Sequence, residues 1–510
     1  MKIKTLTALL IMAGSTLLNA QTKSPVQDWN FDQMKDVMSP AYWKIWNKDV
    51  QNKIDKDIDK NRMANATLNI SDLPPDEQVT VEQINHEFIF GANIFNFNQL
   101  GTFERNKRYR DAFGTLFNSA SVPFYWKKFE MEPNRPRFRE EYWDTEEYWN
   151  NLKDPKSQEH WRRPSTDAIV KYGESRGIRL HGHTLTWGHS RWQHPEWLVE
   201  KFAPQAEKEH LSKFTREDLK KLSNKEVAEI APEYAKLLNG LYEKRIEEIA
   251  AHYGGRLSSW DVVNESSQDY FGNAQTGDPL TNSTYGVIMP GDYTLHSFKK
   301  AEQVFPKEVK LNINDWKNNQ NYLNQINDLI AKGAKIDIVG SQMHMFDPKR
   351  GDEIAAGKEW ETPKMVWDKM EMLSKANRPI HISEVTLTAP SDDARGRAVQ
   401  AMVAYNLYRL WFSIDKMMGV TWWNLVDDCG APGEPTNSGI FTRNMNPKTA
   451  YYALNDLVNN QWKTRLSIQA DGSKPLTFRG FKGKYRVTWK DKSGESKEAI
   501  FELKKDGDGI

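Results

Sequence analysis

The sequence predicts a (β/α)₈ barrel that carries a small N-terminal appended region and a small β-rich C-terminal domain. Three observations support this fold class: eight short apolar runs, helix-compatible segments between them, and polar or aromatic residues where several runs end. Parallel strands that alternate with helices close most readily into a barrel, whose functional residues lie at the carboxyl ends of the strands. A chain of 510 residues has room for this domain and for both additions.

The strand prediction follows the apolar runs in chain order. Segments between them show apolar residues every three to four positions, which is typical of helices, as over 394–417. Two longer inserts follow the second and third runs: 140–163 is rich in Tyr and Trp, and 200–227 is strongly charged. We expect the first to shape a binding subsite and the second to form a solvated surface helix. The predicted strands are 88–94, 119–125, 179–187, 258–265, 310–316, 338–344, 379–387 and 419–425.

The ends of the chain differ from the barrel in pattern. Residues 1–20 have the basic start, apolar stretch and small-residue cleavage site of a signal peptide, so we expect export to the periplasm or the outside of the cell. Residues 21–85 read as a partly β appended region and 86–458 as the barrel. Residues 459–510 alternate and are rich in turns, which predicts a small β domain.

Composition excludes several classes of partner. A formal net charge of +1 gives no electrostatic case for binding nucleic acid or an anionic membrane. We expect no segment that spans a membrane, since no run beyond the leader is long enough. Aromatic residues make up 12% of the chain. Many of them fill the core, and others offer flat faces on which sugars can stack.

Two of the predicted strands end on glutamates, Glu265 and Glu384. A strand buried on both faces avoids carboxylates because desolvation of an unpaired charge is costly, so these side chains are expected in a cleft. Two carboxyl groups on different strands are what cleavage of a glycosidic bond requires: one donates a proton, and the other acts as nucleophile or base. The sequence therefore predicts a glycoside hydrolase that acts on a polysaccharide or oligosaccharide, without a metal or other cofactor.

Six motifs in order along 86–454 give the chain its resemblance to glycoside hydrolase family 10, whose typical members are retaining endo-β-1,4-xylanases. The motifs are Gly182-His183-Thr184-Leu185-Thr186-Trp187, Trp260-Asp261-Val262-Val263-Asn264-Glu265, Ile313-Asn314-Asp315, Gly340-Ser341-Gln342-Met343-His344, Ile382-Ser383-Glu384 and Gly419-Val420-Thr421-Trp422-Trp423. The resemblance implies double displacement on a xylan-type plant polysaccharide.

The same resemblance implies roles for individual residues. Glu265 would be the acid/base and Glu384 the nucleophile, with His344 supporting the nucleophile and Asn264 binding the sugar 2-hydroxyl. Gln342 and Asn314 would order the neighbourhood. Further residues are expected to hold the sugar beside the cleaved bond: Lys127, His183, Trp187 and Trp423.

The resemblance breaks down on the non-reducing (glycone) side of the predicted cleft. The family's second strand carries Glu-Asn, and this chain has Pro123 and Phe124 at those positions. A histidine expected after Trp187 is replaced by Gly188, with His189 one residue later, and an expected tryptophan falls at Ala431. A site built for hydroxyl groups discriminates through its hydrogen bonds, so we expect altered glycone recognition, on a decorated xylan or another β-linked glycan.

Two other classes compete with this interpretation. Alternate histidines on one strand, His181 and His183, with His189 and His194 nearby, could belong to a metal-dependent barrel hydrolase. In such barrels the pair sits on the first strand rather than the third, which disfavours this reading. A non-catalytic carbohydrate-binding barrel is the second alternative, and the presence of both glutamates argues against it.

Overall fold

Eight parallel strands form a closed barrel in which each strand pairs with its neighbours in chain order, so the predicted fold class is confirmed. The computed structural model describes residues 29–219, 221–222, 226, 229–272, 280–282, 285, 287–290, 293–471 and 475–510. The predicted signal peptide lies outside these residues. The barrel strands are β1 (Ile89–Asn93), β2 (Ser119–Pro123), β3 (Arg179–Trp187), β4 (Ser259–Asn264), β5 (Lys310–Asp315), β6 (Ile338–Met345), β7 (Ile380–Leu387) and β8 (Met417–Trp422).

Each barrel strand is followed by a helix that covers the outside of the barrel. These helices are Phe103–Ala112, Thr166–Arg176, Pro232–Tyr253, Tyr293–Val304, Gln320–Ala331, Pro363–Ser374, Ala394–Ser413 and Thr449–Asn455. Several shorter helices lie in the connections, at Trp126–Phe129, Glu146–Asn150, Trp197–Phe202, Gln205–Leu211, Arg216–Leu219 and Lys349–Ala355. Strand and helix alternate because short, almost continuously buried runs give way to longer segments in which apolar residues recur every three to four positions.

The N-terminal region begins with helices that pack on the barrel, at Phe31–Met34, Pro40–Ile45 and Lys48–Arg62. Helix Ala394–Ser413 is buried along nearly its whole length because it lies between the barrel and helix Lys48–Arg62. The same helix also contacts helix Pro40–Ile45, where the Asn406 side-chain amide donates to the Tyr42 hydroxyl over 2.8 Å. The helical part of the N-terminal region thus belongs to the core of the barrel.

The rest of the N-terminal region pairs with the C-terminal region instead of forming an addition of its own. Strand Met63–Leu68 runs antiparallel to Leu476–Phe481. Strand Gln78–His86 lies between Arg465–Gln469 and Gly483–Lys490, and the last of these pairs with Ser496–Leu503. Each segment alternates and has one apolar face, so each needs the other to bury it. The two ends of the chain thereby share one small core.

The barrel pairing fixes which polar residues meet at the carboxyl ends of the strands. Asn264 of β4 is the register partner of Asn314 of β5, and Gln342 of β6 is the partner of Glu384 of β7. These four side chains therefore converge on one edge of the barrel. Over the described residues, we find no helix that combines the length and the apolar character needed to cross a bilayer.

Candidate active site

Glu265 follows β4 directly and has a backbone φ of 52°, in the left-handed region that non-glycine residues rarely occupy. Its backbone N–H donates to the Asn314 carbonyl over 2.7 Å, which holds this turn in place. The carboxyl group accepts hydrogen bonds from the Tyr285 hydroxyl and, over 3.2 Å, from Gln342 Nε2. Strained backbone of this kind is typical of residues whose side chains must point into a functional site.

Burial and, to a smaller extent, the negative charge of Glu384 raise the pKa of the Glu265 carboxyl to about 8. The hydrogen bonds from Tyr285 and Gln342 act in the opposite direction but do not outweigh burial. A carboxyl group in this setting keeps its proton at neutral pH, as a general acid must.

Glu384 lies on β7, is buried, and has different neighbours from Glu265. Its Oε1 accepts from Asn314 Nδ2 over 2.8 Å, and its Oε2 lies 3.3 Å from His344 Nε2. His183 Nε2 lies 3.9 Å from Oε1. Donors that point at a buried carboxylate favour its ionised form. The setting therefore suits a nucleophile that must carry its negative charge when the substrate arrives.

Side-chain amides link the two glutamates through a continuous set of hydrogen bonds. Asn314 Nδ2 donates both to Glu384 Oε1 and to Asn264 Oδ1, each over 2.8 Å. Gln342 Nε2 lies 3.4 Å from the same Asn264 oxygen and 3.2 Å from Glu265 Oε1. The structure thus brings together both predicted catalytic residues and the predicted Asn264, Asn314 and Gln342.

His183 is held by Asp261, one strand away. His183 Nδ1 and His181 Nε2 lie 2.8 and 2.9 Å from the same Asp261 oxygen. Burial opposes ionisation of Asp261, but the two imidazoles outweigh it and lower the pKa of this carboxyl group below its usual range. The bond at Nδ1 leaves His183 Nε2 directed towards Glu384. No group of three or more potential ligands with a geometry that could hold a metal ion occurs among the residues described by the structure.

Aromatic rings form much of the cleft wall. The cleft has a volume of about 730 Å³ and contains the predicted Trp187 and Trp423, together with Tyr125 and Trp192. Three aromatic side chains near its mouth are more than a third exposed: Trp316, Phe346 and Trp360. Rings with one free face suit stacking against pyranose sugars.

The residues around the glycone side are not placed as the sequence predicted. Phe124 is fully buried against Trp260, with 4.6 Å between ring centroids, so its ring belongs to the core and the next residue, Tyr125, reaches the cleft. Lys127 forms an ion pair with Glu196 and is not among the residues that line the cleft. Tyr125 lines the cleft in place of Phe124 because β2 ends at Pro123 and the chain then turns into helix Trp126–Phe129.

The substitutions on neighbouring strands do reach the cleft. His189 lines it and stacks on Tyr285, with ring centroids 4.5 Å apart. Ala431 also lines it, and its N–H donates to Glu434 Oε2 over 2.9 Å.

Among the groups that sequence reasoning missed are the guanidinium groups of Arg162 and Arg163, which line the cleft, and the Tyr285 hydroxyl, which donates to Glu265. Tyr285 lies in a long connection after β4 that carries no periodic pattern. The arginines lie at the end of the insert 140–163, where the prediction of a binding subsite was based on the aromatic residues. Their position at the end of a Tyr- and Trp-rich insert was the only available signal.

Two glutamates with different electrostatic settings, at the carboxyl end of a (β/α)₈ barrel, define a site of the glycoside hydrolase class. The family model for glycosyl hydrolase family 10 matches residues 144–457, which is more than half of the chain. The chain belongs to this family. The match begins after β2, so the part of the cleft that β2 forms lies outside it.

Comparisons with individual proteins find relatives at low identity. Anti-sigma-I factor RsgI6 of Acetivibrio thermocellus is 25% identical over 325 residues, which are 63% of this chain and 34% of that protein. Endo-1,4-beta-xylanase A of Thermotoga maritima is 25% identical over 315 residues, which are 58% of this chain and 25% of that protein. The matches thus span about a third and a quarter of these relatives. The structure of xylanase B from Clostridium stercorarium F9 has the same fold, with a TM-score of 0.50, 20% identity, and coverage of 72% of this chain and 97% of that one.

Proposed function

We propose that the protein is a retaining glycoside hydrolase that cleaves β-1,4 bonds of a xylan-type polysaccharide by double displacement. The observation that carries this proposal is the pairing of Glu265, whose pKa is raised to about 8, with Glu384, which faces hydrogen-bond donors across the same amide network. One carboxyl group is prepared to give a proton and the other to attack. The name of the Thermotoga maritima relative supports a xylan-type substrate.

In the first step, a Glu384 oxygen forms a bond to the anomeric carbon while the bond from that carbon to the leaving oxygen breaks. Glu265 transfers its proton to this oxygen, so the leaving sugar departs as an alcohol. The negative charge then resides on Glu265, where the hydrogen bonds from Tyr285 and Gln342 stabilise it.

In the second step, Glu265 takes a proton from water as the water oxygen attacks the anomeric carbon. The bond to Glu384 breaks, and Glu384 leaves as a carboxylate that accepts again from Asn314. Attack twice on the same carbon retains the anomeric configuration.

We assign sugar contacts to residues that surround this carbon. Asn264 and His183 offer polar groups beside Glu384, and Trp187 and Trp423 offer ring faces. His344 lies within 3.3 Å of the nucleophile and orients it while its Nδ1 bonds to Thr386 Oγ1 over 2.9 Å. Asn314 and Gln342 position the two carboxyl groups. Lys127 is left out of this assignment because it does not line the cleft.

The test is to trap the covalent intermediate. Incubation with an activated 2-deoxy-2-fluoro-β-xylobioside should inactivate the enzyme and add one glycosyl group to the peptide that contains Glu384, as read by mass spectrometry. The Glu384→Gln variant is the matched control and should gain no label. Hydrolysis of xylo-oligosaccharides without any adduct, or an adduct on another carboxylate, would contradict the assigned mechanism. Sugar binding without hydrolysis of any β-linked glycan would identify a non-catalytic carbohydrate-binding barrel.

A second candidate substrate is a decorated xylan or another β-linked glycan. It is favoured by the changed glycone side, where Tyr125, Arg162 and Arg163 occupy the cleft next to β2. Product analysis over a panel of defined β-linked oligosaccharides distinguishes this substrate from undecorated xylan. If undecorated xylan is the substrate, plain linear xylan should be cut at least as fast as every other member of the panel.

We also propose that the protein is exported. The support is the pattern of residues 1–20, and sequencing the N-terminus of the mature protein tests it, with Gln21 as the expected first residue.

A further inference from the structure

Two adjacent arginines, Arg162 and Arg163, place their guanidinium groups in the cleft beside the carboxyl end of β2. Their exposed fractions are only 4% and 7%. Arginine is almost never buried to this degree unless a counter-charge accompanies it, because desolvation of the cation is costly. Two such buried cations side by side therefore require an anionic partner.

Neutral groups supply all the close contacts of the pair. Arg163 Cζ lies 3.8 Å from the centroid of the Tyr125 ring, and its Nη1 donates to the Arg162 carbonyl over 2.7 Å. Arg162 Nη2 lies 3.5 Å from Asn424 Oδ1, and Arg162 Nε is buried without a hydrogen-bond partner in the described structure. Neither guanidinium has a described carboxylate within 4.0 Å.

The carboxyl group that lines the same part of the cleft, Glu434, has other partners. Its Oε2 accepts from Asn424 Nδ2 over 2.8 Å and from the Ala431 N–H over 2.9 Å. Burial lowers the pKa of Arg163 to about 9 even though the charge of Glu434 acts in the opposite direction. Glu434 thus offsets only part of the cost of holding two cations here.

Other arginines of the chain are satisfied within the protein. The buried Arg245 donates to three backbone carbonyls instead of to a carboxylate. Arg137 is also buried, and it forms an ion pair with the buried Asp144. In the cleft, Arg350 lies 3.2 Å from the centroid of Trp360 and forms a 2.6 Å ion pair with Glu353. Arg162 and Arg163 differ in facing the cleft without such a partner, which is the arrangement of a site that receives its anion from a ligand.

We propose that Arg162 and Arg163 bind an anionic substituent of the substrate, a carboxylate or a sulfate ester, on a sugar at the non-reducing side of the cleaved bond. The planar fork of a guanidinium matches the two oxygens of such a group, and the apolar ring of Tyr125 holds Arg163 in a fixed orientation. At the positions where the chain's resemblance calls for Glu and Asn, Pro123 and Phe124 bring neither a charge nor an amide. The charge of this subsite is therefore positive. The inference rests on the proposed function, since it names the class of glycan for the same cleft.

The experiment compares kcat/KM for four xylo-oligosaccharides of equal length. One is unsubstituted, one carries a glucuronic acid side group on a glycone-side sugar, one carries the methyl ester of that acid, and one carries a sulfate ester. The acid should be preferred over its methyl ester by about 10- to 100-fold, because a hydrogen bond to a charged group is stronger than one to a neutral group. A preference for the sulfate over the acid would identify a sulfated glycan as the source of the anion.

Variants show whether the arginines cause the preference. Arg163→Gln should reduce the ratio of acid to methyl ester by about tenfold or more, and Arg163→Lys should keep part of it because the charge remains and the fork is lost. Arg350→Gln is the matched control: it removes a guanidinium from the same cleft, but one already paired with Glu353, so the ratio should stay as in the parent. Circular dichroism and the melting temperature of each variant establish that it folds.

The outcomes separate this inference from the proposed function. If the unsubstituted oligosaccharide is hydrolysed but kcat/KM for the acid is no higher than kcat/KM for its methyl ester, the anion site is overturned and the proposed glycosidase activity stands. Hydrolysis of none of the four substrates counts against the proposed function. Binding then decides the anion site by itself: calorimetric titration of the Glu265→Gln variant with the acid and with its methyl ester should show tighter binding of the acid, and equal affinity would overturn the site.

Discussion

The two sides of the cleft satisfy their polar groups in different ways. At the ends of β4 to β7, Glu265 and Glu384 have hydrogen-bond partners within the protein, arranged through Asn264, Asn314 and Gln342. At the end of β2, two guanidinium groups lie in the cleft with no carboxylate within ion-pair distance among the described residues. Under the proposed function, the groups that perform the chemistry are oriented before the substrate arrives, whereas the groups that select the substrate receive their partner from the substrate.

The largest effect is expected from the nucleophile. Replacement of Glu384 by Ala should lower kcat by at least about four orders of magnitude, because no other carboxylate is held at this position. Steady-state hydrolysis of a xylo-oligosaccharide measures it. Glu361→Gln is the control, since Glu361 lines the cleft but pairs with Lys369 over 2.7 Å, and it should lose far less activity. A fully active Glu384→Ala enzyme would refute the mechanism.

A smaller effect, which depends on the leaving group, is expected from the acid. Replacement of Glu265 by Gln should reduce kcat/KM about 10²- to 10⁴-fold for an oligosaccharide, whose leaving oxygen needs a proton. An activated aryl glycoside with an acidic phenol leaves without that proton, so its kcat/KM should fall much less. Equal losses on both substrates would show that Glu265 has another role.

The interaction of Tyr285 with Glu265 should be visible in the pH dependence of activity. Its hydrogen bond lowers the pKa of Glu265, so Tyr285→Phe should raise that pKa above about 8. Activity requires protonated Glu265 and is lost as pH rises through this pKa, so the alkaline limb of kcat/KM should move to higher pH, by about half a unit to one unit.

The control for this shift is Tyr293→Phe, which removes a buried hydroxyl that bonds to Asp269 over 2.9 Å instead of to Glu265. Its alkaline limb should coincide with that of the parent enzyme. A limb that moves to lower pH in Tyr285→Phe would show that the hydroxyl stabilises the protonated carboxyl group rather than the ionised one.

The smallest effect is expected at Lys127, which the resemblance assigned to sugar binding. Lys127→Gln should change kcat/KM by less than about threefold, since the side chain pairs with the exposed Glu196 outside the cleft and such pairs contribute little to stability. Lys128→Gln, which removes the neighbouring pair with Glu159, is the matched control and should behave alike. A loss above about tenfold confined to Lys127→Gln would place this residue in the glycone subsite after all.

Much of the catalytic side could be predicted from the sequence. The apolar runs located all eight barrel strands, and the glutamates that end two of them lie in one cleft. Such features are local, because a buried strand and the polar residue that ends it are encoded by adjacent positions. The register that brings Asn264 beside Asn314 then follows from parallel pairing in chain order.

The glycone side could not be predicted in the same way. Phe124 stands at a position expected to face the cleft, but the strand ends at Pro123, so the Phe124 side chain enters the core and Tyr125 lines the cleft instead. Tyr285 contacts Glu265, and Arg163 reaches the cleft, from connections whose sequences carry no periodic signal. The β-structure shared by the two chain ends could not be predicted either. Its strand partners lie more than 380 residues apart, as Gln83 and Tyr485 do, and nothing in either segment indicates which strand it will pair with.

The sequence by itself determined the barrel, the order of its strands and the two glutamates, because each depends on the period and polarity of a short segment. Only the tertiary structure decided which side chains surround those glutamates, since contacts between distant connections depend on where the folded chain carries them. The two cations of the glycone side belong to what the tertiary structure decided, because the end of an insert packs Arg163 against Tyr125 and places Arg162 in the same cleft.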